Sequence, residues 1–335
     1  MERRTLLGMA AAVAWGGAAR ADELETVTVG GIQLPTNAPL FIAMDKGYFA
    51  KQGIKVNVTW FTAASSVFSA VVSRDVDVGV TGTTAATYNL ASKGGFRIIG
   101  GTTRDAPHFP LNGVLVSNKA WEAGFTSLKE MGGKRFAMTT AGSTHHYDIG
   151  TMAKKYGVPL AGVQLVPLEA YGNITAALQS NQVDAAILPP ALVGRMLDAK
   201  SAHFLAWTGD EAPEQQGIIC ASPATIARKH DMLTRFMAAY VQGASEYNRV
   251  FNQVDASGAP VKGTDYAPLI DIIARNAAIK PAEAEAQVAY IIPDLRPDEA
   301  DIKRQIAFWQ EAGLVSKSAD FKDLFDLSLL PGKPA

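Results

Sequence analysis

Cysteine is nearly absent: Cys220 stands alone in 335 residues. A lone thiol excludes an internal disulfide and any Cys-x-x-Cys metal or redox pair. Neither sign of charge prevails, with 31 Lys and Arg against 32 Asp and Glu. That balance excludes a strongly basic nucleic-acid binder and gives no support to a polybasic membrane-surface binder. Beyond the N-terminus no apolar run approaches the ~20 residues that span a bilayer. The composition of a disordered chain is also missing, since 48% of residues are hydrophobic and 19% charged. No Gly-rich phosphate loop with Lys, no Gly-x-Ser-x-Gly elbow and no His-Glu-x-x-His occurs. What is there is a chain of about two domains' length.

Residues 1–21 read as an export signal. Arg3 and Arg4 form a charged start, Thr5 to Ala19 an uncharged Ala-rich run, and Ala19-Arg20-Ala21 a small-residue cleavage site. The Arg pair followed by Thr5-Leu6-Leu7 also suits a twin-arginine signal. No Cys follows the apolar run, which excludes a bacterial lipid anchor at this site. The expected mature chain begins near Asp22, in the periplasm and not anchored to a membrane.

The remaining chain alternates strand and helix patterns, which argues for βαβ units. Strands are expected at Val27–Val29, Lys55–Trp60, Val76–Val80 and Arg97–Gly100. Helices are expected from Pro39 to about Ala50 and over Val67–Ser73. The same order recurs 107 residues later, with strands at Arg135–Met138, Gln164–Val166 and Val183–Ile187. Helices there are expected over Thr144–Tyr156 and Ile174–Ser180, the second capped by Asn173. Val76-Asp77 meets Val183-Asp184 at this shift, which predicts two similar α/β lobes and a structural role for both aspartates.

In open α/β sheets ligands bind outside the carboxyl ends of strands, where helices begin. Each half offers three such loops. The first half supplies Leu34, Thr36 and Asn37 in residues 33–39, Ala64 and Ser65 in 62–66, and Gly82, Thr83 and Thr84 in 81–84. The second supplies Ser143, Thr144 and His145 in 140–146, Tyr171 and Asn173 in 169–173, and Pro190 in 188–191. Hydroxyl and amide side chains there cap helices, and free N–H groups at helix starts favour an anion. Arg104, His108 and Asn112 lie between the halves. A guanidinium at Arg104 suits a carboxylate or sulfonate, the alternative being a salt bridge to Asp105 or another acid. Tyr171 is placed to stack on a planar ligand. His145 and His146 point about 100° apart on a helix, poorly for a shared metal.

Pro39 to Val56, PLFIAMDKGYFAKQGIKV with its opening Pro, resembles the signature of one family. That family is the nitrate/sulfonate/taurine and thiamine-precursor (NMT1/THI5-like) type of substrate-binding protein of ABC importers. Leu128-Lys129-Glu130-Met131-Gly132-Gly133-Lys134-Arg135, Ala141-Gly142-Ser143-Thr144-His145 and Val183-Asp184-Ala185 resemble further family segments. The resemblance implies an α/β, two-lobed type II periplasmic-binding-protein fold, each lobe a mostly parallel sheet flanked by helices. It places residues 22–112 and 218–335 in lobe I and 113–217 in lobe II. Crossings are expected near Asn112–Ser117 and Phe204–Ala221. The helical stretches 224–251, 265–278, 281–291 and 300–312 are expected on the back of lobe I.

The implied function is capture of a small organic anion, a sulfonate or carboxylate, aromatic ones included. The implied partners are an inner-membrane ABC permease and its cytoplasmic ATPase, with the receptor itself a monomer that binds no nucleic acid, cofactor or metal. Alternatives are a receptor for a neutral pyrimidine-like ligand and a periplasmic sensor without a transport role. The resemblance also reaches pyrimidine synthases of thiamine biosynthesis, which use a cysteine-rich motif and a Lys-bound pyridoxal cofactor. One Cys and an export signal argue against an enzyme.

Overall fold

Val27 and Val29 alternate with polar residues, as a strand covered on one face requires. In the computed structural model, which describes residues 24–332, they lie in β1 (Glu25–Gly31). The export signal expected at residues 1–21 lies outside the described residues. β1 pairs in parallel with β2 (Ile54–Trp60) and β3 (Val78–Gly82). β12 (Gly217–Ala221) is antiparallel to β3 on one side and to β4 (Arg97–Gly101) on the other.

The second sheet repeats this plan. β7 (Arg135–Met138) pairs in parallel with β8 (Gln164–Pro167) and β9 (Ala185–Leu188). β6 (Gly113–Ser117) is antiparallel to β9 and to β10 (Ala202–Trp207). The order β2-β1-β3-β12-β4 thus maps onto β8-β7-β9-β6-β10. In each sheet the reversed strand is supplied by chain arriving from the other lobe, so the sheets are mixed, with four of five strands running one way. β6 and the stretch from β10 to β12 occupy the two expected crossings.

The repeat extends to side chains. The Asp77 carboxylate accepts the Thr28 backbone N–H at 3.1 Å, and Asp184 accepts that of Arg135 at 2.8 Å. Both pairs are separated by 49 residues, and 28 and 135 differ by the repeat length of 107. Each aspartate ties the start of the third strand to the first. Lys229 at 2.7 Å and the Arg135 guanidinium at 2.8 Å then neutralise Asp77 and Asp184 respectively.

Helices cover both faces of each sheet. In the second lobe α5 (Asn118–Glu122) and α6 (Thr144–Lys155) flank one face, where Phe125, Phe136, Ile149 and Met152 are buried. α7 (Tyr171–Gln179) and α8 (Pro190–Asp198) cover the other with Ile174, Leu178 and Val193. In the first lobe α3 (Ala64–Ser73) and α4 (Ala85–Ala91) pack Phe68 and Tyr88 on one face. α1 (Ala38–Asp45) and α10 (Pro223–Phe251) cover the opposite face. The single helix expected from Pro39 to Ala50 is two. A turn through Gly47 (φ 69°) starts α2 (Tyr48–Lys51) in a new direction and sets Phe49 against Phe236, ring centroids 5.0 Å apart.

The C-terminal helices complete the first lobe. α10 kinks at Lys229, and its Phe236, Ala239, Tyr240 and Tyr247 are buried, as their helical spacing requires. At Gly243 a Cβ would lie 2.2 Å from the Pro39 carbonyl oxygen, so α1 and α10 cross almost backbone to backbone. α9 (Thr208–Glu211) fills the second crossing, and α11 (Tyr266–Ala277) lies against α1. α12 (Pro281–Glu285) is shorter than the expected 281–291, because Tyr290–Ile291 forms β15. β15 and β11 (Glu214–Gln215) flank β5 (Thr103–Asp105), making a small antiparallel sheet at the joint between the lobes. β13 (Gln253–Val254) and β14 (Pro260–Val261) form an exposed hairpin. α13 (Glu299–Glu311) buries Ile302, Ile306 and Trp309 against Phe68, Tyr88 and Phe96.

Candidate functional site

The carboxyl ends of β1, β3, β7, β8 and β9 face a cavity of about 330 Å³ between the lobes. The first lobe contributes Leu34, Thr36 and Asn37 after β1, and Val80, Thr81 and Gly82 at the end of β3. Asn37 is buried, and its amide donates to the Ile32 carbonyl at 2.6 Å, which fixes the loop. The second lobe contributes three helix starts: Thr144 and His145 of α6, Tyr171 of α7 and Pro190 of α8. The joint contributes Asn112, Thr102, Thr103 and Gln216. The cavity lies at the small end of the range for ligand sites.

The polarity of these walls is specific. Among the described residues no Lys, Arg, Asp or Glu lines the cavity. His145 is 2% exposed, and burial lowers its pKa to about 4, so its ring is neutral at ordinary pH. The Tyr171 ring lies 5.9 Å from it, tilted by 48°, on the same side of the cavity. The Thr81 hydroxyl is buried at the opposite wall without a hydrogen-bond partner. The cavity therefore offers neutral donors and acceptors, aromatic faces and helix N-termini, with no side-chain counter-charge.

Of the residues expected at the site, Leu34, Thr36, Asn37, Gly82, Asn112, Thr144, His145, Tyr171 and Pro190 come together there. Eight do not. Arg104 turns away from the cleft and donates to Asp298 at 2.9 Å, the salt-bridge alternative. β5 explains this: Thr103 faces the cavity, so the next residue in a strand points the other way. His108 is exposed in a left-handed turn (φ 69°), its ring against Gly258. Ala64 and Ser65 belong to the first turn of α3, which starts three residues before the expected Val67 and draws that loop back from the cavity. The Thr83 hydroxyl donates to Gln305 at 3.2 Å, and Thr84 forms a capping box with Thr87 on α4. Ser143 stands at the cap position of α6, but its hydroxyl is buried and unbonded. Asn173 caps nothing. α7 starts at Tyr171, and the Asn173 amide reaches back to the Leu168 carbonyl at 3.0 Å.

Thr81, Thr102, Thr103, Gln216, Gln287 and Val288 also line the cavity and are not among the residues expected there. Thr81 had a usable signal, since it opens the loop 81–84 at the end of a strand. Gln287 and Val288 had none: helical patterning covered them, and only the pairing of β15 with β5 brings them in. Cys220 lies buried within β12, and burial pushes its thiol up to about 12, so it supplies no nucleophile. Among the described residues no helix is long and apolar enough to cross a membrane.

Known proteins share this architecture. The periplasmic aliphatic sulphonate binding protein SsuA from Escherichia coli superposes with a TM-score of 0.69 at 15% identity, over 91% of this chain and 98% of that one. The periplasmic nitrate-binding protein NrtA from Synechocystis PCC 6803 does so with a TM-score of 0.64 at 13% identity, over 92% of this chain and 87% of that one. At these identities the likeness is one of fold. In sequence, the 4-amino-5-hydroxymethyl-2-methylpyrimidine phosphate synthase of Uromyces fabae is 31% identical over 156 residues, 46% of this chain and 42% of that protein. The match thus spans less than half of that relative's length. The family described as NMT1/THI5 like matches residues 34–248, more than half of the chain. On that match, set on a two-lobed fold with its cavity at the strand ends, the chain belongs to the NMT1/THI5-like family.

Proposed function

We propose that this protein is the periplasmic receptor of an ABC importer. Residues 22–112 with 218–335, and residues 113–217, are two lobes that close on a small organic solute and deliver it to a membrane permease. The solute is uncharged and planar, of the pyrimidine kind. The observation that carries this choice is that, among the described residues, no charged side chain lines the cavity, with Arg104 engaged by Asp298. A closed cleft of this kind matches a neutral heterocycle that exchanges hydrogen bonds with Thr81, Asn37 and Asn112 and stacks on Tyr171. A second reading, the small organic anion, is supported by the starts of α6 and α7 opening on the cavity, where backbone N–H groups hold a sulfonate or carboxylate without a cation.

An enzyme of pyrimidine synthesis fits the site less well. Among the described residues neither lysine nor cysteine lines the cavity, so those residues offer no amine for a Schiff base with a pyridoxal aldehyde. A thermal-shift panel decides between the readings. A ligand at a hundred times its Kd stabilises the folded state by about 2.7 kcal/mol. Aminopyrimidines should raise the melting temperature, and alkane- and arylsulfonates, carboxylates and nitrate should not. The reverse pattern transfers the assignment to the anion.

A further inference from the structure

Three carboxyl groups are shut away from water where the lobes meet, outside the cavity wall. Asp105 of β5 and Asp148 of α6 are 0% exposed and Glu214 of β11 is 1% exposed. Asp301 of α13, also 1% exposed, joins them from the first lobe. β5 and β11 belong to the stretches that run between the lobes, and α6 belongs to the second, so the cluster spans the joint. Its members are unequally satisfied. Asp301 accepts from the Gln215 N–H at 2.6 Å and from Arg304 at 3.0 Å. Asp105 accepts from the Leu111 N–H at 2.8 Å and from the Thr208 hydroxyl. Glu214 accepts from the Gln216 amide at 2.8 Å. Asp148 has nothing: both its oxygens are buried without a partner, as is Nδ1 of His145 one turn earlier on α6.

Among the described residues, the charged and titratable groups around Asp148 supply no spare cation. On its own helix, His145 and His146 are both driven towards the neutral form by burial, and Tyr147 is an acid held neutral. α7 presents Tyr171, and α4 presents Tyr88. α9 presents Asp210 and Glu211, the latter bound to Lys155 at 2.8 Å. α13 presents Asp301 with Arg304, β5 presents Asp105, and β11 presents Glu214. Arg135 of β7 is held by Asp184, and Arg104 by Asp298. A buried carboxylate with neither cation nor donor is far less stable than the neutral acid. Burial first, then the neighbouring carboxyls, push Asp148 and Glu214 well above the usual carboxylate range. Asp105 is pushed up to about 7, with burial the main cause.

The lobes touch in this arrangement. The Ala85 N–H of α4 donates to the Gly142 carbonyl across the cleft at 3.0 Å. His146 and Tyr147 pack on Phe308 and Trp309 of α13, with centroids 5.2–6.1 Å apart. We infer that lobe closure takes up protons: the carboxyl cluster at the joint is protonated while the lobes are together and releases protons when they part and water reaches Asp148. The closed form binds more protons than the open form, so acid favours closure and alkali favours opening. The inference rests on the two-lobed reading above and is independent of which solute binds.

X-ray scattering of the ligand-free protein between pH 5 and pH 8.5 tests it. The expected result is a larger radius of gyration at pH 8.5 than at pH 5, with native near-ultraviolet circular dichroism at both. Asp148→Asn, which stays neutral, should keep the compact radius to a pH about one unit or more higher. Glu214→Gln should act in the same direction and stands in if Asp148→Asn does not fold. A wild-type radius that ignores pH, a variant that copies the wild-type transition, or an expansion that coincides with loss of the near-ultraviolet signal overturns the inference. No solute is added, so a failed ligand screen leaves this result standing, and an unchanged radius leaves the ligand assignment standing.

Discussion

Single residues decide what this cleft accepts. Arg104 was the natural anion partner in the sequence, and the structure spends its charge on Asp298 at a distance of 2.9 Å. Both side chains are about a quarter exposed, so the pair contributes at most about 1 kcal/mol to stability. Arg104→Ala should therefore change solute affinity by a factor of two or less, measured by titration calorimetry. A thirtyfold loss would return Arg104 to the site. Asp148 makes a prediction of opposite kind. Its carboxyl is raised well above the usual range by burial, then by Asp105. Its contribution to stability is thus complete below the unfolded value of about 4 and disappears as pH rises through the folded value. Asp148→Asn removes that loss. Melting curves should show the variant above wild type at pH 8 and level with it at pH 4, and a variant less stable at pH 8 would contradict the burial argument.

Elements were legible where they carried periodicity and a repeat. β1, β2, β3 and β7 to β9 announced themselves through short apolar or alternating runs between turn-rich or Pro-containing loops, and the shift of 107 residues paired them correctly across the lobes. The loops at the starts of α6, α7 and α8 were legible too, because strand-to-helix turns face the cleft in any such sheet. The joint was not. β5, β11 and β15 are three, two and two residues long, too short to show a period, and their paired residues lie 109 and 111 positions apart for β5 with β11 and 186 and 188 apart for β5 with β15. Their pairing rotates Arg104 out, brings Gln287 and Val288 in and buries the carboxyl cluster. Helix starts slipped where no side chain caps them: α3 and α7 begin on Ala64 and Tyr171 with no capping side chain, so Ser65 and Asn173 sit inside the helix. The crossing of α1 and α10 gives an element-scale test. Any side chain at Gly243 meets the Pro39 carbonyl, so Gly243→Val should cost about 3 kcal/mol or more, read as a lower urea midpoint. A loss under about 0.5 kcal/mol would mean that the two helices do not pack this closely.

At the scale of the molecule, two copies of one βαβ plan exchange a reversed strand and leave between them a cavity of about 330 Å³. Architecture of this kind is shared with receptors named for sulfonates and for nitrate, so fold alone does not choose the solute. The choice rests on uncharged walls and on the Tyr171–His145 pair. Titration of wild type and Tyr171→Ala with the uncharged heterocycle that gives the largest thermal shift tests this most directly. The expected result is one site per chain, an affinity insensitive to salt, and a loss of about tenfold in the variant, the worth of one aromatic contact in a closed site. Equal affinity of the two proteins, or tight binding confined to a sulfonate or carboxylate and weakened by salt, would contradict it.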